Sequence, residues 1–370
     1  LSPKAELNRS VLVRIQAALE ENPEIELFAN FPRLYKGAVA EQKQLSATPD
    51  VSKEHNRPGR ANFCADLVAR ARAAEVVYPL SEETTGFLSG YMDPESESQD
   101  LSQSLVYVLS QMILTCERLW EFPTRGVVLK CTETLAAKII RGNSDYTEYT
   151  SIQYLSEKAG DLPFPKPHGL VKFDSVRVMF MTYFPSMTLE AAWPKLTHED
   201  KCGIQSQLND IFLKLRALPS DGHTLGGVCG EGVQDHHRDS HSSRETMTTA
   251  AQFEEFQFSI PRHGDASWIK FLRTLLPPAE SPAVFTHGDF RAANIMVDVD
   301  ENGRYSVTGV IDWETSGFYP AWFESSRVLY LSVSHEESDW WRYIPACIAP
   351  ATNPERWLVG RLRDQFVRSN

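Results

Sequence analysis

The segment Val284-Phe-Thr-His-Gly-Asp-Phe-Arg-Ala-Ala-Asn-Ile-Met-Val297 carries the residues best suited to chemistry. An apolar run delivers His287, Asp289 and Asn294 before the chain turns apolar again. The spacing Asp-x-x-x-x-Asn is the one phosphoryl transfer uses: the Asp accepts or orients the proton of an attacking hydroxyl, and the Asn side chain holds a magnesium ion. Alone the motif is common, and its sequel gives it weight. Ile295 to Val299, a turn at Glu301-Asn302-Gly303 and Tyr305 to Ile311 read as a β-hairpin that ends in Asp312-Trp313-Glu314. Such a hairpin returns Asp312 to the end where Asn294 sits. Two hard oxygen donors there can chelate magnesium across the β- and γ-phosphates of a nucleotide. The plainer reading of Asp312 is a strand-end turn residue.

Upstream, Lys138 lies in the apolar run Leu135-Ala-Ala-Lys-Ile-Ile140, where an isolated cation needs a partner or a phosphate. Glu148 shares a helix face with Ile152 and Leu155, so it points toward the sheet that carries Lys138. A strand Lys fixed by a helix Glu is how kinases hold the α- and β-phosphates. Asp145-x-x-Glu148 also has the spacing of a capping box, and both readings stand.

The elements that must position these groups follow from periodicity. Gly126 to Cys131 and Leu135 to Ile140 read as a hairpin, a helix runs from about Asp145 to Ala159, and Gly169 to Phe173 and Arg177 to Tyr183 form a second hairpin. This order builds a small antiparallel sheet with one helix against it, and a helical stretch from near Thr197 opens a larger second lobe. Val11, Ile15 and Leu19 at helical spacing, and an apolar stripe from Leu105 to Trp120, make the first hundred or so residues a helical extension. Polar stretches at Glu41 to Arg60 and Asp93 to Asp100 read as loops, as does Gly222 to Ser243. There His236, His237 and His241 with Asp235 and Asp239 read as a solvated segment rather than a metal site. The tail from Trp340 to Phe366 reads as helical.

A formal charge of −12 over 370 residues argues against a general nucleic-acid binder, which needs Lys and Arg to neutralise phosphates. It weakly favours a cationic small substrate, and it also serves solubility alone. Six cysteines without regular spacing suit a reducing compartment. With no apolar run long enough to span a bilayer and no signal-peptide core in Leu1 to Ser10, the expectation is a cytoplasmic protein away from membranes.

From about Phe122 to Trp357 the chain resembles the aminoglycoside phosphotransferase and choline kinase-like family, in its fungal-type branch. The resemblance rests on Lys138, Glu148, the loop from His287 to Asn294 and Ile311-Asp-Trp-Glu314, in that order. Met181-Thr-Tyr-Phe-Pro-Ser-Met-Thr-Leu189 resembles the interlobe hinge, and Gly317-Phe-Tyr-Pro320 also fits. The resemblance implies an α+β, bilobal, protein-kinase-like fold. Its parts would be a helical extension over residues 1–121, a small lobe over 122–184 and a mostly helical lobe over 185–370.

It also implies a small-molecule kinase using ATP, with GTP as an alternative, and Mg2+. Asp289 would be the catalytic base, with His287 and Arg291 beside it in the catalytic loop. Arg291 either screens charge on the γ-phosphate or braces the loop. Asn294 and Asp312 would hold magnesium, and Lys138 with Glu148 would orient the phosphates. Met181 and Tyr183 would line the adenine site at the hinge, and the acceptor would be a small-molecule hydroxyl over the second lobe. No G-x-G-x-x-G precedes Lys138, where the turn is Thr132-Glu133-Thr134, so the phosphates are expected to lack a glycine cradle. Asp-Trp and His-Gly-Asp stand where protein kinases have Asp-Phe-Gly and His-Arg-Asp. A small-molecule kinase is thus favoured over a protein kinase. The rival from another class is a kinase-fold protein that binds a metabolite or a partner without catalysis.

Overall fold

A computed structural model describes residues 63–92, 101–122, 124–142, 144–220, 224–237, 239–259, 266–329 and 339–366. Its largest sheet has six strands: β1 (Ala74–Tyr78), β2 (Glu117–Phe122), β3 (Gly126–Lys130), β4 (Leu135–Arg141), β5 (Pro167–Phe173) and β6 (Val176–Thr182). They lie in the spatial order β1-β5-β6-β4-β3-β2, every neighbour antiparallel. The helices of this lobe are α1 (Phe63–Arg70), α2 (Glu82–Ser89), α3 (Leu101–Thr115) and, after β4, α4 (Thr147–Lys158).

Side chains alternate across a strand, so the two faces of the sheet bury different sets. Leu135, Ala137 and Ile139 meet Val171, Phe173, Val178 and Phe180 in one cluster, closed by Phe63 of α1 and Leu109, Met112 and Ile113 of α3. The opposite face carries Lys138 beside its cross-strand partner Met179. Met179 and Leu170 join Ile152 and Leu155 of α4 in a second core that continues into the other lobe.

The sheet begins earlier in the chain than the sequence indicates. Residues 1–62, with the helical pattern at Val11, Ile15 and Leu19, lie outside the described residues, as do the polar stretches at 41–60 and 93–100. Within 63–121, however, β1 and β2 are strands of the sheet, and α3 covers its outer face rather than standing apart from it. The apolar stripe breaks after Thr115. Trp120 sits on the edge strand β2, 41% exposed, in register with Val128 of β3.

The second lobe runs through β7 (Met187–Thr188), α5 (Leu189–Ala192), α6 (His198–Arg216), β8 (Val233–His237), β9 (Asp239–Ser243), α7 (Ala250–Phe258) and α8 (Ala266–Arg273). It continues with β10 (Ala283–Thr286), β11 (Ile295–Val299), β12 (Tyr305–Val310), β13 (Gly317–Pro320), α9 (Phe323–Arg327) and α10 (Pro354–Phe366). Thr197 starts α6 with a reciprocal capping box to Asp200, and Ile204, Leu208, Ile211, Phe212 and Leu215 bury one face of it. Two small sheets carry the chemistry-bearing segment: β10 pairs with β13, and β12-β11-β7 form a three-stranded set. The result is an α+β fold with an antiparallel-sheet lobe and a larger, mainly helical lobe.

Two local readings change. Gly222 to Ser243 is not all solvated loop, because β8 and β9 form a hairpin that buries Val233, Gln234 and Asp235. Asp235 is ion-paired with Arg327 of α9. The side chains of 236–241, with the three histidines, lie outside the described residues. The tail is helical only from Pro354; Trp340 to Thr352 forms short 3-10 turns, since Pro345 and Pro350 interrupt any longer helix.

Candidate active site

Lys138 projects from the middle of β4 into the space between the lobes. Its ammonium lies 2.7 Å from Glu148 Oε2, 2.6 Å from Asp312 Oδ1 and 3.8 Å from Glu314 Oε2. Glu148 therefore serves Lys138 and does not close a capping box; the carboxylate at the start of α4 that meets a backbone amide is Asp145, which accepts from Thr147 N at 3.0 Å. Oxygens of the carboxylates of Glu148, Asp312 and Glu314 lie within 4.8 Å of one another. One buried ammonium thus faces three carboxyl groups.

The charges follow from that ratio. Burial works against the Lys138 ammonium, but Asp312, Glu148 and Glu314 outweigh it and raise its pKa. For Asp312 burial pushes upward, yet Lys138, Arg125 and Arg291 hold the carboxyl down at about 2. Glu148 goes the other way. Burial raises it, Lys138 offsets only part of that, and the carboxylates of Asp312 and Glu314 add to the rise, so it titrates at about 7.

The hairpin performs the return that its sequence suggests. Ile295 pairs with Val310, and Ile311 N donates to Asn294 O at 2.9 Å, so Asn294 and Asp312 end side by side. Asp312 takes a left-handed backbone conformation, φ 69°, which costs a non-glycine residue energy and is typical of functional positions. Trp313 turns inward, 1% exposed, with its Nε1 donating to Val310 O at 2.8 Å.

Asp289, Arg291 and Asn294 form the second half of the site. Asn294 Nδ2 donates to Asp289 O at 2.9 Å and to Asp289 Oδ2 at 3.0 Å, and Arg291 Nε donates to the same Oδ2 at 3.2 Å. Arg291 also reaches Asp312 Oδ2 at 3.9 Å, linking the two halves. Among the described residues no donor reaches Asp289 Oδ1 or Asn294 Oδ1.

His287 has a different part from the catalytic one expected of it. It is fully buried, its Nδ1 accepts from Asp289 N at 3.2 Å, and its Nε2 donates to Ile311 O at 3.0 Å. Both ring nitrogens are engaged with backbone groups, an arrangement suited to positioning the loop. Gly288, with φ 81°, lies so close to Thr315 that a Cβ would meet the Thr315 carbonyl oxygen at 2.6 Å. Met181, expected at the adenine site, pairs with Ala136 at the end of β6, and Tyr183 N donates to Thr134 O at 2.8 Å.

Three residues had no role in the sequence reading, although Glu314 was part of the motif it quoted. Glu314 joins the cluster and is ion-paired with Arg125. Glu324 of α9, 1% exposed, accepts from His287 N at 2.7 Å and from Gly288 N at 3.3 Å, anchoring the loop that carries Asp289. Arg125 lies between β2 and β3 and not in the turn Thr132-Glu133-Thr134 that directly precedes β4. The turn Thr132-Glu133-Thr134 is at the hinge end of β3, whereas the bend nearest the charged cluster is the one between β2 and β3. Strand order alone reveals this.

The family described as the phosphotransferase enzyme family (APH) matches residues 146–345, more than half of the chain. No curated protein sequence matches. Among solved structures, a thermostable mutant of aminoglycoside phosphotransferase APH(4)-Ia in its apo form shares 19% identity over 69% of this chain and 84% of its own, with a TM-score of 0.45. The gentamicin complex of APH(2″)-IIa shares 14% identity over 74% of this chain and 89% of its own, with a TM-score of 0.47. Aminoglycoside phosphotransferase APH(3″)-Id from Streptomyces rimosus ATCC10970 shares 14% over 68% and 92%, with a TM-score of 0.42. All three fall below 0.5, and the weight rests on the sequence match.

Proposed function

The chain belongs to the phosphotransferase enzyme family, and we propose that it moves the γ-phosphate of ATP to a hydroxyl of a small molecule. The observation that carries this reading is the Lys138 ammonium held between Glu148 and Asp312, next to a loop in which Asn294 fixes Asp289. Lys138 would orient the phosphates. Asp289 Oδ1 is turned free of donors and would receive the proton of the attacking hydroxyl, while Oδ2 is held by Asn294 and Arg291. Arg291, between Asp289 and Asp312, is placed to face charge on the transferring group.

The donor set fits magnesium. Asn294 Oδ1 and the carboxylate of Asp312 are hard oxygen ligands at adjoining ends of one hairpin, with the carboxyl groups of Glu148 and Glu314 within reach of Asp312. Magnesium held there would supply neutralisation of charge on the β- and γ-phosphates. Met181 and Tyr183 would border the adenine, with GTP as an alternative nucleotide. The net charge of −12 favours a cationic acceptor. Among the described residues no helix is long and apolar enough to cross a membrane.

The test is transfer of labelled phosphate from ATP to a panel of hydroxylated metabolites. Asp289→Ala should lower turnover about 10²–10⁴-fold while nucleotide affinity changes little. Unchanged turnover in that variant would remove Asp289 as the base. Nucleotide binding without transfer to any acceptor would favour a kinase-fold binding protein.

A further inference from the structure

β2, β3 and β4 form one antiparallel meander with Lys138 on its third strand. In protein kinases the Lys stands on the third strand and a glycine-rich loop covers the phosphates of ATP. The first bend of this meander spans residues 122–126 and holds a single glycine. Gly126 serves the sheet: a Cβ there would meet the Ile139 carbonyl oxygen at 2.1 Å. The bend is tied down on both sides, with Arg125 N donating to Phe122 O and Arg141 N donating to Arg125 O, each at 2.9 Å.

From this bend the side chain of Arg125 crosses to the other lobe and pairs with Glu314, two residues beyond Asp312. The Arg125 side chain is 47% exposed and Glu314 15%. Burial alone would lower the pKa of Arg125, but Glu314, Asp312 and Asp289 outweigh it, so the guanidinium stays charged within the field of the same carboxylates that surround Lys138. Lys138 and Arg291 are both engaged with Asp312, whereas among the described residues the Arg125 side chain is paired with Glu314 alone. An ion pair half open to water is weak, and a guanidinium matches the planar, bidentate geometry of a phosphate better than an ammonium does.

Resting on the nucleotide site proposed above, we propose that Arg125 is a phosphate-binding residue that leaves Glu314 for the β- and γ-phosphates and stands in for the missing glycine amides. Glu314 keeps compensation from Lys138 at 3.8 Å when the arginine leaves. The bend thus binds the nucleotide with one mobile cation where other kinases use backbone.

The experiment titrates the full chain with ATP, AMP and inorganic tripolyphosphate in magnesium, for the wild type, Arg125→Ala and Arg125→Lys, with thermal unfolding followed for each. Arg125→Ala should weaken ATP and tripolyphosphate about tenfold or more and leave AMP within about twofold, and Arg125→Lys should recover part of the loss. If ATP binds Arg125→Ala as tightly as the wild type, Arg125 is not a phosphate ligand and the nucleotide site itself stands. An equal loss for AMP and ATP would mean that Arg125 only supports the fold, again against the proposal. A wild type that binds neither ATP nor tripolyphosphate would overturn both readings. Should Arg125→Ala unfold early, Arg125→Lys decides, since its charge is kept and only the bidentate geometry is lost.

Discussion

The charged cluster around Lys138 and the loop around Asp289 adjoin each other and are held in opposite ways. The cluster is set by ionic balance: one buried ammonium faces three carboxyl groups, and one of those is pushed up to about 7. The loop is set by directional hydrogen bonds. His287 spans Asp289 N and Ile311 O, Asn294 grips Asp289, and Glu324 takes the amides of His287 and Gly288. A site held by charge rearranges when a new charge enters, whereas one held by backbone hydrogen bonds keeps its shape. The part proposed to meet phosphate and cation is therefore adaptable, and the part proposed to position the base is rigid.

The largest expected effect breaks the rigid half. Glu324→Ala would orphan two buried amides and empty the space beneath the loop, so stability should fall by about 3–5 kcal/mol in chemical denaturation. A loss below about 1 kcal/mol would show that the loop holds its shape without this anchor.

A smaller effect, confined to the adaptable half, is a pH dependence. A carboxyl whose folded pKa of about 7 exceeds its ordinary value of 4.5 binds its proton more tightly in the folded state. It therefore costs stability as pH rises from about 4.5 to 7, at most about 3 kcal/mol. Glu148→Gln does not titrate. Its stability relative to the wild type should improve between pH 5 and pH 8, and a constant difference across that range would show that the cluster does not raise Glu148.

The same contrast explains what the sequence made legible. Local periodicity set Glu148 toward the strand of Lys138 and returned Asp312 to Asn294 through one hairpin, the element order gave a small sheet lobe before a larger helical one, and the protein-kinase-like class came from the family resemblance. Arg125 was hidden because only the strand order tells which bend lies beside the site. Glu324 is 37 residues from the amide it serves, and only its burial beneath the loop gives it a purpose. His287 stands in the loop as its spacing suggests, and only its burial and its two backbone hydrogen bonds set it apart from Asp289 and Arg291. β1 and β2 were missed because their pairing partners, not their own patterns, make them strands.

The central claim is that the cluster around Lys138 is a magnesium-dependent nucleotide site, and calorimetric titration with ATP, with and without magnesium, tests it most directly in the wild type and Asp312→Ala. The account predicts binding that needs magnesium and weakens at least about tenfold in the variant. ATP binding that is indifferent to magnesium and to Asp312 would contradict it.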